Sequence, residues 1–373
     1  MRHWVRLALL VLLLAATHPA NAGYVATNLA SNLDLGSGVL QDPDMKNPWG
    51  LTVRGGSPFW IANNGTGLST LYNTSTVAAV KQTLVVTMPG QTASNTIPIT
   101  GMVGNLSSSF NDDLFLFAAE NGGIYGWRNA LGTTAETLLT PSTANVYKGL
   151  AINGSTLYAA NFRSGKIDVI TGGSVSPIHP EDPNLPKGFA PFGIQLLNGK
   201  IYVTFAMQDA DKHDDDPGPG RGFVDVLDPV TNTLSRLISR DPLDSPWGLA
   251  IAPSNFGELG GDLLVGNFGD GFINAFDPTT GAFRGTMADA SGNPIHIEGL
   301  WALMFGNGAS AGSTNRLFFT AGINGENDGL FGVIDPVPSP CSGWVCSGWV
   351  PLDVAARAPT ERGGADQPRV RGL

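Results

Sequence analysis

Short apolar segments recur along the chain at a nearly constant spacing, and each is centred on a small residue. The clearest copies are Asn47-Pro-Trp-Gly-Leu-Thr-Val53, Tyr147-Lys-Gly-Leu-Ala-Ile-Asn153, Pro191-Phe-Gly-Ile-Gln-Leu196 and Ser245-Pro-Trp-Gly-Leu-Ala-Ile251, with weaker copies over residues 98–103 and 299–304. Successive central residues are 51, 48, 44, 55 and 54 positions apart, and they are Gly50, Gly101, Gly149, Gly193, Gly248 and Ala302. A repeat of this length is typical of one four-stranded propeller blade.

A second pattern follows each copy: a short apolar strand, a turn rich in Asn or Gly, and a strand in which polar and apolar residues alternate. Residues 157–165 and 166–170 show it clearly. The alternation predicts antiparallel strands, and the repeated segments predict innermost strands, where glycine permits close approach. Residues 24–29 can supply the fourth strand that the last blade lacks. We therefore predict an all-β, six-bladed β-propeller over residues 23–336, closed by the N-terminal strand. The alternatives are a pair of β-sandwiches and a seven-bladed ring with one degenerate blade.

The N-terminus has the pattern of a secretory signal. Arg2, His3 and Arg6 precede an apolar run over residues 7–16, and Ala20-Asn-Ala22 resembles a cleavage site. The run is too short for a membrane anchor, which needs about 20 apolar residues. We predict a signal peptide over residues 1–22 and export to the periplasm, the cell surface or the medium, with no transmembrane segment in the mature chain.

Composition narrows the range of partners. Only 14% of residues are charged and the formal net charge is −10, which argues against nucleic acid and anionic membranes as partners. The two cysteines, Cys341 and Cys346, lie in the tail, so the body is stabilised by core burial and sheet closure rather than by disulfides. We expect a monomer that binds an envelope, matrix or small-molecule ligand.

Three motifs resemble a family of exported bacterial propellers of uncharacterised function: the Asn47-Pro-Trp-Gly-Leu51 segment, the Trp60-Ile-Ala-Asn-Asn-Gly65 turn and the insertion over residues 208–215. The blades of that family are similar to NHL repeats, and its members often end in a PEP-CTERM sorting signal. The resemblance implies fold and export, and brings no catalytic residues. Residues 337–373 depart from such a signal because Cys341-Ser-Gly-Trp-Val345 is repeated over residues 346–350. We predict a degenerate sorting tail or a disordered one.

The insertion is the strongest candidate for chemistry. It joins the second and third strands of blade four and concentrates five carboxylates, which raise one another's pKa values unless a positive charge lies among them. Ca²⁺ prefers such oxygen ligands, although the spacing is not that of an EF-hand. The predicted metal ligands are Asp209, Asp211, Asp214, Asp215 and Asp216, and His213 is a candidate base or ligand. The alternative is a solvated acidic loop.

Further polar residues are predicted on the same face, at the mouth of the channel: Glu298, Glu120, Asn47, Asn63, Asn161 and Asn267. Such a ring is similar to the sites of metal-dependent lactonase propellers, but Asn beside Gly is also favoured by turn geometry alone. Trp49, Trp247 and Trp301 recur at blade spacing, which favours packing over ligand stacking.

Two functions fit these features. The first is a binding or interaction module that uses the acidic face, and the second is a metal-dependent hydrolase of lactones or esters with Ca²⁺ as its cofactor. The sequence contains no P-loop, dinucleotide fingerprint or nucleophile elbow. A propeller can host either function, so the fold does not decide between them.

Overall fold

A computed structural model describes residues 23–92 and 94–337; the predicted signal peptide and the tail from residue 338 lie outside the described residues. Six antiparallel sheets follow one another along the chain, as the repeat predicts. Each begins with one of the repeated apolar segments. The protein is therefore an all-β, six-bladed β-propeller.

The strands are numbered in chain order. The first two are β1 (Gly23–Ser31) and β2 (Leu40–Gln41). Blade one contains β3 (Pro48–Thr52), β4 (Phe59–Asn63), β5 (Leu68–Asn73) and β6 (Val80–Thr87). Blade two contains β7 (Ile99–Gly104), β8 (Phe115–Ala119), β9 (Ile124–Trp127) and β10 (Glu136–Leu139). Blade three contains β11 (Tyr147–Asn153), β12 (Thr156–Asn161), β13 (Lys166–Thr171) and β14 (Ser174–Val175).

Blade four contains β15 (Phe189–Leu197), β16 (Lys200–Met207), β17 (Gly222–Asp228) and β18 (Thr233–Ser239). Blade five contains β19 (Pro246–Ile251), β20 (Leu263–Asn267), β21 (Ile273–Phe276) and β22 (Phe283–Thr286). Blade six contains β23 (Leu300–Phe305), β24 (Leu317–Ala321) and β25 (Leu330–Val337). Two single-turn 3-10 helices, Asn129–Leu131 and Gly257–Leu259, lie between strands. Within the described ranges, no helix has the length and apolar character needed to cross a bilayer.

The N-terminal strand closes the ring, which confirms the prediction. Strand β1 pairs antiparallel with β25, from Gly23 opposite Val337 to Ser31 opposite Leu330, and β2 adds a short parallel strand outside it. The Tyr24 hydroxyl donates to the Phe256 carbonyl oxygen at 2.9 Å and accepts from the Leu259 N–H at 2.9 Å. The closing strand is therefore also fastened to blade five.

The recurring glycine has a packing cause. The central residues of the repeat form a waist in which adjacent inner strands approach closely. A Cβ atom added to Gly50 would lie 2.4 Å from the Thr100 carbonyl oxygen, and one added to Gly193 would lie 2.2 Å from that of Trp247. At these two positions a larger side chain would push the inner strands of neighbouring blades apart.

In each blade, one residue lies just before the waist on the inner strand. Together these residues fill the upper end of the channel, which is the end where the inner strands begin. Four of these residues are aromatic and buried, and we call them the aromatic plug: Trp49, Phe192, Trp247 and Trp301. The rings of Trp49 and Trp301 stack with centroids 3.6 Å apart, and the Trp247 ring meets both edge-on at 6.4 and 5.8 Å. The packing interpretation of the three tryptophans is confirmed.

Candidate functional site

A buried lysine lies at the upper mouth of the channel. Lys148, the second residue of β11, takes the position that the plug aromatics hold in four other blades, and its side chain is only 1% exposed. Its Nζ donates to Glu120 Oε1 and, at 2.8 Å, to Asp214 Oδ1, and it lies 4.8 Å from the centroid of the Trp49 ring. Burial opposes the charged form, but the charges of Glu120 and Asp214 hold the pKa of Lys148 above its ordinary value. The group is therefore an ammonium ion.

Three blades bring this cluster together. Glu120 follows β8 in the second-to-third-strand turn of blade two, and Asp214 lies in the corresponding insertion of blade four. Equivalent turns of successive blades reach the same rim because the blades are related by rotation about the channel. The structure thus places the acidic insertion on the rim from which the inner strands begin, as expected.

Blades one and six complete the mouth. The Asn47 amide donates to Glu326 Oε2 at 2.7 Å, while Asn47 Oδ1 accepts from Trp301 Nε1 at 3.0 Å. The Asn64 amide donates to Glu120 Oε2 at 3.0 Å, so Glu120 connects Lys148 to blade one. Asn47 has a positive φ of 44°, an uncommon conformation for a residue other than glycine. Its side chain is held between the plug and the carboxylates.

Asp215 and Ser245 leave polar atoms unpaired in this region. Within the described part of the chain, Asp215 Oδ2 and Ser245 Oγ are buried and make no hydrogen bond of good geometry. Burial raises the pKa of Asp215 to about 6, although the neighbouring Ser245 hydroxyl and the charge of Lys148 lower it. Burial likewise raises the pKa of Glu326, against the Asn47 hydrogen bond and the Lys148 charge. Burial therefore opposes the ionised form of both carboxyls, and the charge of Lys148 favours it.

The remaining carboxylates of the insertion do not converge with Asp214. Asp209 Oδ1 accepts from the His213 backbone N–H at 2.9 Å and shapes the loop, Asp211 is exposed, and Asp216 pairs with Arg221 at 2.5 Å. His213 Nδ1 lies 3.1 Å from Asp214 Oδ1. The ligand atoms that do come within 4.8 Å of one another belong to Glu120, His213 and Asp214.

The predicted asparagines have structural roles in the rim. Asn63, Asn161 and Asn267 end the second strands of blades one, three and five, and each backbone carbonyl accepts from a glycine N–H four residues later, at 2.8, 3.0 and 3.1 Å. The Asn63 side chain donates to Thr70 Oγ1, that of Asn161 to Asp168 and that of Asn267 to the Pro242 carbonyl. These hydrogen bonds hold each asparagine in its turn and against a neighbouring strand or loop.

Glu298 contacts the turn that carries Glu326 and makes no contact with Lys148 in the described residues. It is exposed, and its Oε1 accepts from the Gly325 N–H at 3.1 Å, next to Glu326. Of the residues predicted to ring the mouth, Glu120 and Asn47 join the charged cluster, and Glu298 positions the turn that carries Glu326.

Sequence reasoning missed Lys148, Ser245 and Glu326. Two of them had a signal: Lys148 stands at a position that is aromatic in four copies of the repeat, and Ser245 stands where the first copy has Asn47, before Pro-Trp-Gly. Ser245 shares the positive φ of 44° found at Asn47. Glu326 lies in the long turn of blade six, where no repeat position singled it out.

The fold and this mouth define a β-propeller with an acidic upper face. No family model matches the chain. It is 30% identical over 313 residues to "Uncharacterized protein R648" of Acanthamoeba polyphaga mimivirus, covering 79% of this chain and 76% of that protein. It is also 28% identical over 315 residues to "Uncharacterized protein L690" of the same virus, covering 78% and 80%. The chain belongs to the family of these viral proteins.

Two solved structures are similar to the chain. Streptogramin B lyase covers 86% of this chain and 99% of its own, with a TM-score of 0.52 at 12% identity. The WD40 β-propeller domain of Doa1 covers 78% and 93%, with a TM-score of 0.46 at 11% identity. At these identities the likeness to the lyase shows the fold alone.

Proposed function

We propose that the protein is an exported binding module whose upper mouth takes a positively charged group of its ligand. The observation that carries the proposal is that the Lys148 ammonium binds two carboxylates, those of Glu120 and Asp214, and that the charge of the same ammonium lowers the pKa of two further carboxyls, Asp215 and Glu326. Added positive charge favours the ionised form of every one of these carboxyls. A primary ammonium, a guanidinium or a metal ion supplies it.

Export is part of this proposal and rests on the sequence of residues 1–22. The resemblance to bacterial propellers with NHL-like blades and a PEP-CTERM signal stays a prediction, since the relatives found are viral proteins. Both the signal peptide and the tail lie outside the described residues.

A metal-dependent hydrolase is the second candidate, and one observation favours it. Glu120, His213 and Asp214 offer two carboxylates and an imidazole within reach of one ion. The fit to Ca²⁺ is partial, because Ca²⁺ prefers oxygen ligands and Lys148 already binds both carboxylates. An ion would have to replace that ammonium as their partner. Ca²⁺ therefore remains a prediction that needs a direct test.

Thermal unfolding tests both candidates. We expect spermidine or Ca²⁺ to raise the melting temperature, because a ligand present at 100 times its Kd stabilises the folded state by about 2.7 kcal/mol. Asp215→Asn should weaken the shift, and Asp211→Asn, which removes the same charge from an exposed position, should preserve it. Sodium chloride at matched ionic strength separates binding from salt effects.

Three outcomes of the melting experiment distinguish the binding module from the hydrolase. A shift with spermidine alone supports the binding module. A shift with Ca²⁺ that a chelator reverses, together with turnover of a lactone or ester panel, supports the hydrolase. No shift with either cation would discard a cation site at the upper mouth.

A further inference from the structure

The lower end of the channel opens into a cavity of about 470 Å³, at the end of the molecule opposite the charged mouth. Its walls are the lower halves of the inner strands of blades one, two, three, four and six. A second cavity of about 370 Å³ adjoins it on the side of blade five, and the two share Val53, Gln195, Leu196 and Met304. The aromatic plug and the waist fill the channel above them. We call this blind opening the lower funnel.

The lower funnel carries no charge. Its walls contain Leu, Val, Ile and Met side chains, and none of the residues that line either cavity is Asp, Glu, Lys, Arg or His. Leu106, on the rim, leaves 78% of its surface exposed. Pockets of this size and apolar character are typical of small-molecule sites. A charged group would lose its hydration there without gaining a partner.

Among the polar side chains of the wall, Gln195 is the one that lines both cavities; Thr52 and Ser107 line only the larger, and Asn198 and Asn307 only the smaller. Gln195 stands two residues after the waist, where the other blades have Thr52, Val103, Ala151, Ala250 and Met304. It lines both cavities, and its amide makes no hydrogen bond to any residue in the described ranges. A side-chain amide offers two donors and an acceptor. Such a group in an apolar pocket orients a ligand through a single polar contact.

We infer that the lower funnel is a second binding site, and that it takes one neutral, largely apolar molecule with a single hydrogen-bonding group that meets Gln195. An alcohol, ester or amide with an aliphatic or aromatic body has this chemistry. The site is independent of the charged upper mouth, since no residue is common to the two.

The fluorescent probe N-phenyl-1-naphthylamine tests the inference on the full chain. We expect the probe to bind the wild type and to be displaced by 1-octanol far better than by octanoate at neutral pH. Met304→Lys, which brings an ammonium into the funnel, should weaken probe binding by about tenfold or more. Val230→Lys, at a position that is 90% exposed, is the matched control and should bind as the wild type does. Gln195→Leu should reduce the advantage of octanol over octane.

Three results of the probe experiment would contradict a binding site in the lower funnel. Absence of probe binding to the wild type, equal displacement by octanoate, or unchanged binding to Met304→Lys would each overturn the inference. Leu196→Lys serves as a second variant if Met304→Lys does not fold. Asp215→Asn at the upper mouth should leave probe binding unchanged, so a failed cation site and a failed funnel are told apart.

Discussion

At the scale of single residues, the main feature is an ammonium ion at a position built for an aromatic ring. Burying Lys148 costs hydration free energy, and two carboxylates from neighbouring blades offset that cost. Partial burial would raise the pKa of Asp214, whose side chain is 62% exposed, but the charge and hydrogen bond of Lys148 hold that pKa below its ordinary value. The pair therefore stabilises the fold at neutral pH, and its contribution is lost as the pH falls below about 4.

Lys148→Met tests this arrangement. The variant leaves Glu120 buried without its cation, and breaking a buried pair from one side costs about 3–5 kcal/mol in free energy of unfolding. Urea unfolding at neutral pH measures the loss, which should shrink in acid. Lys166→Met, at an exposed position, is the control, and adding Glu120→Gln to Lys148→Met should restore part of the stability. A loss below about 1 kcal/mol would show that the cluster is not a buried ion pair.

The sequence indicates part of this site. Five crowded carboxylates predict a positive partner, and Asp214 does have one. That partner is Lys148, 66 residues earlier in the chain. That contact depends on the rotation between blades, which no local pattern contains. Asn63, Asn161 and Asn267 show the reverse case, because their side chains bond to Thr70, Asp168 and the Pro242 carbonyl rather than to the charged cluster.

At the scale of elements, the sequence repeat predicts the number of blades and the order of the strands and turns within them. Every repeated segment is an inner strand, and the alternating strands and their turns follow in the predicted order. The cause for the inner strand is that its waist needs small residues; in the third strand, polar residues such as Asp168 and Asn274 alternate with apolar ones and are themselves buried.

Gly193→Ala tests the waist. The added Cβ would lie 2.2 Å from the Trp247 carbonyl oxygen, so blades four and five must separate. Overpacking of this kind typically costs about 1–3 kcal/mol. Gly56→Ala, whose Cβ would find its nearest atom at 3.5 Å, is the control and should be nearly neutral. Chemical denaturation of the two variants compares them, and equal stabilities would contradict a close-packed waist.

At the scale of the whole molecule, the ring depends on a strand from the other end of the chain. Strand β1 covers the edge of β25, and Tyr24 ties it to the segment around Phe256 in blade five. This closure joins the first strand of the chain to the last, and it covers an edge that would otherwise pair with other chains. It therefore protects the whole propeller rather than one blade. The two proposed sites at opposite ends of the channel both depend on this ring.

Removing residues 1–31 should therefore open the ring. The β25 edge loses its partner, and the Leu259 N–H and the Phe256 carbonyl lose their hydrogen bonds to the Tyr24 hydroxyl. We expect oligomers or aggregates by size-exclusion chromatography and a lower melting temperature, whereas removing only residues 1–22 should leave a monomer. A synthetic peptide of residues 23–31 should bind the shortened chain and restore its melting temperature, and a scrambled peptide should not. If the shortened chain stays monomeric and melts like the longer one, β1 is an accessory to the fold and blade six is stable with three strands.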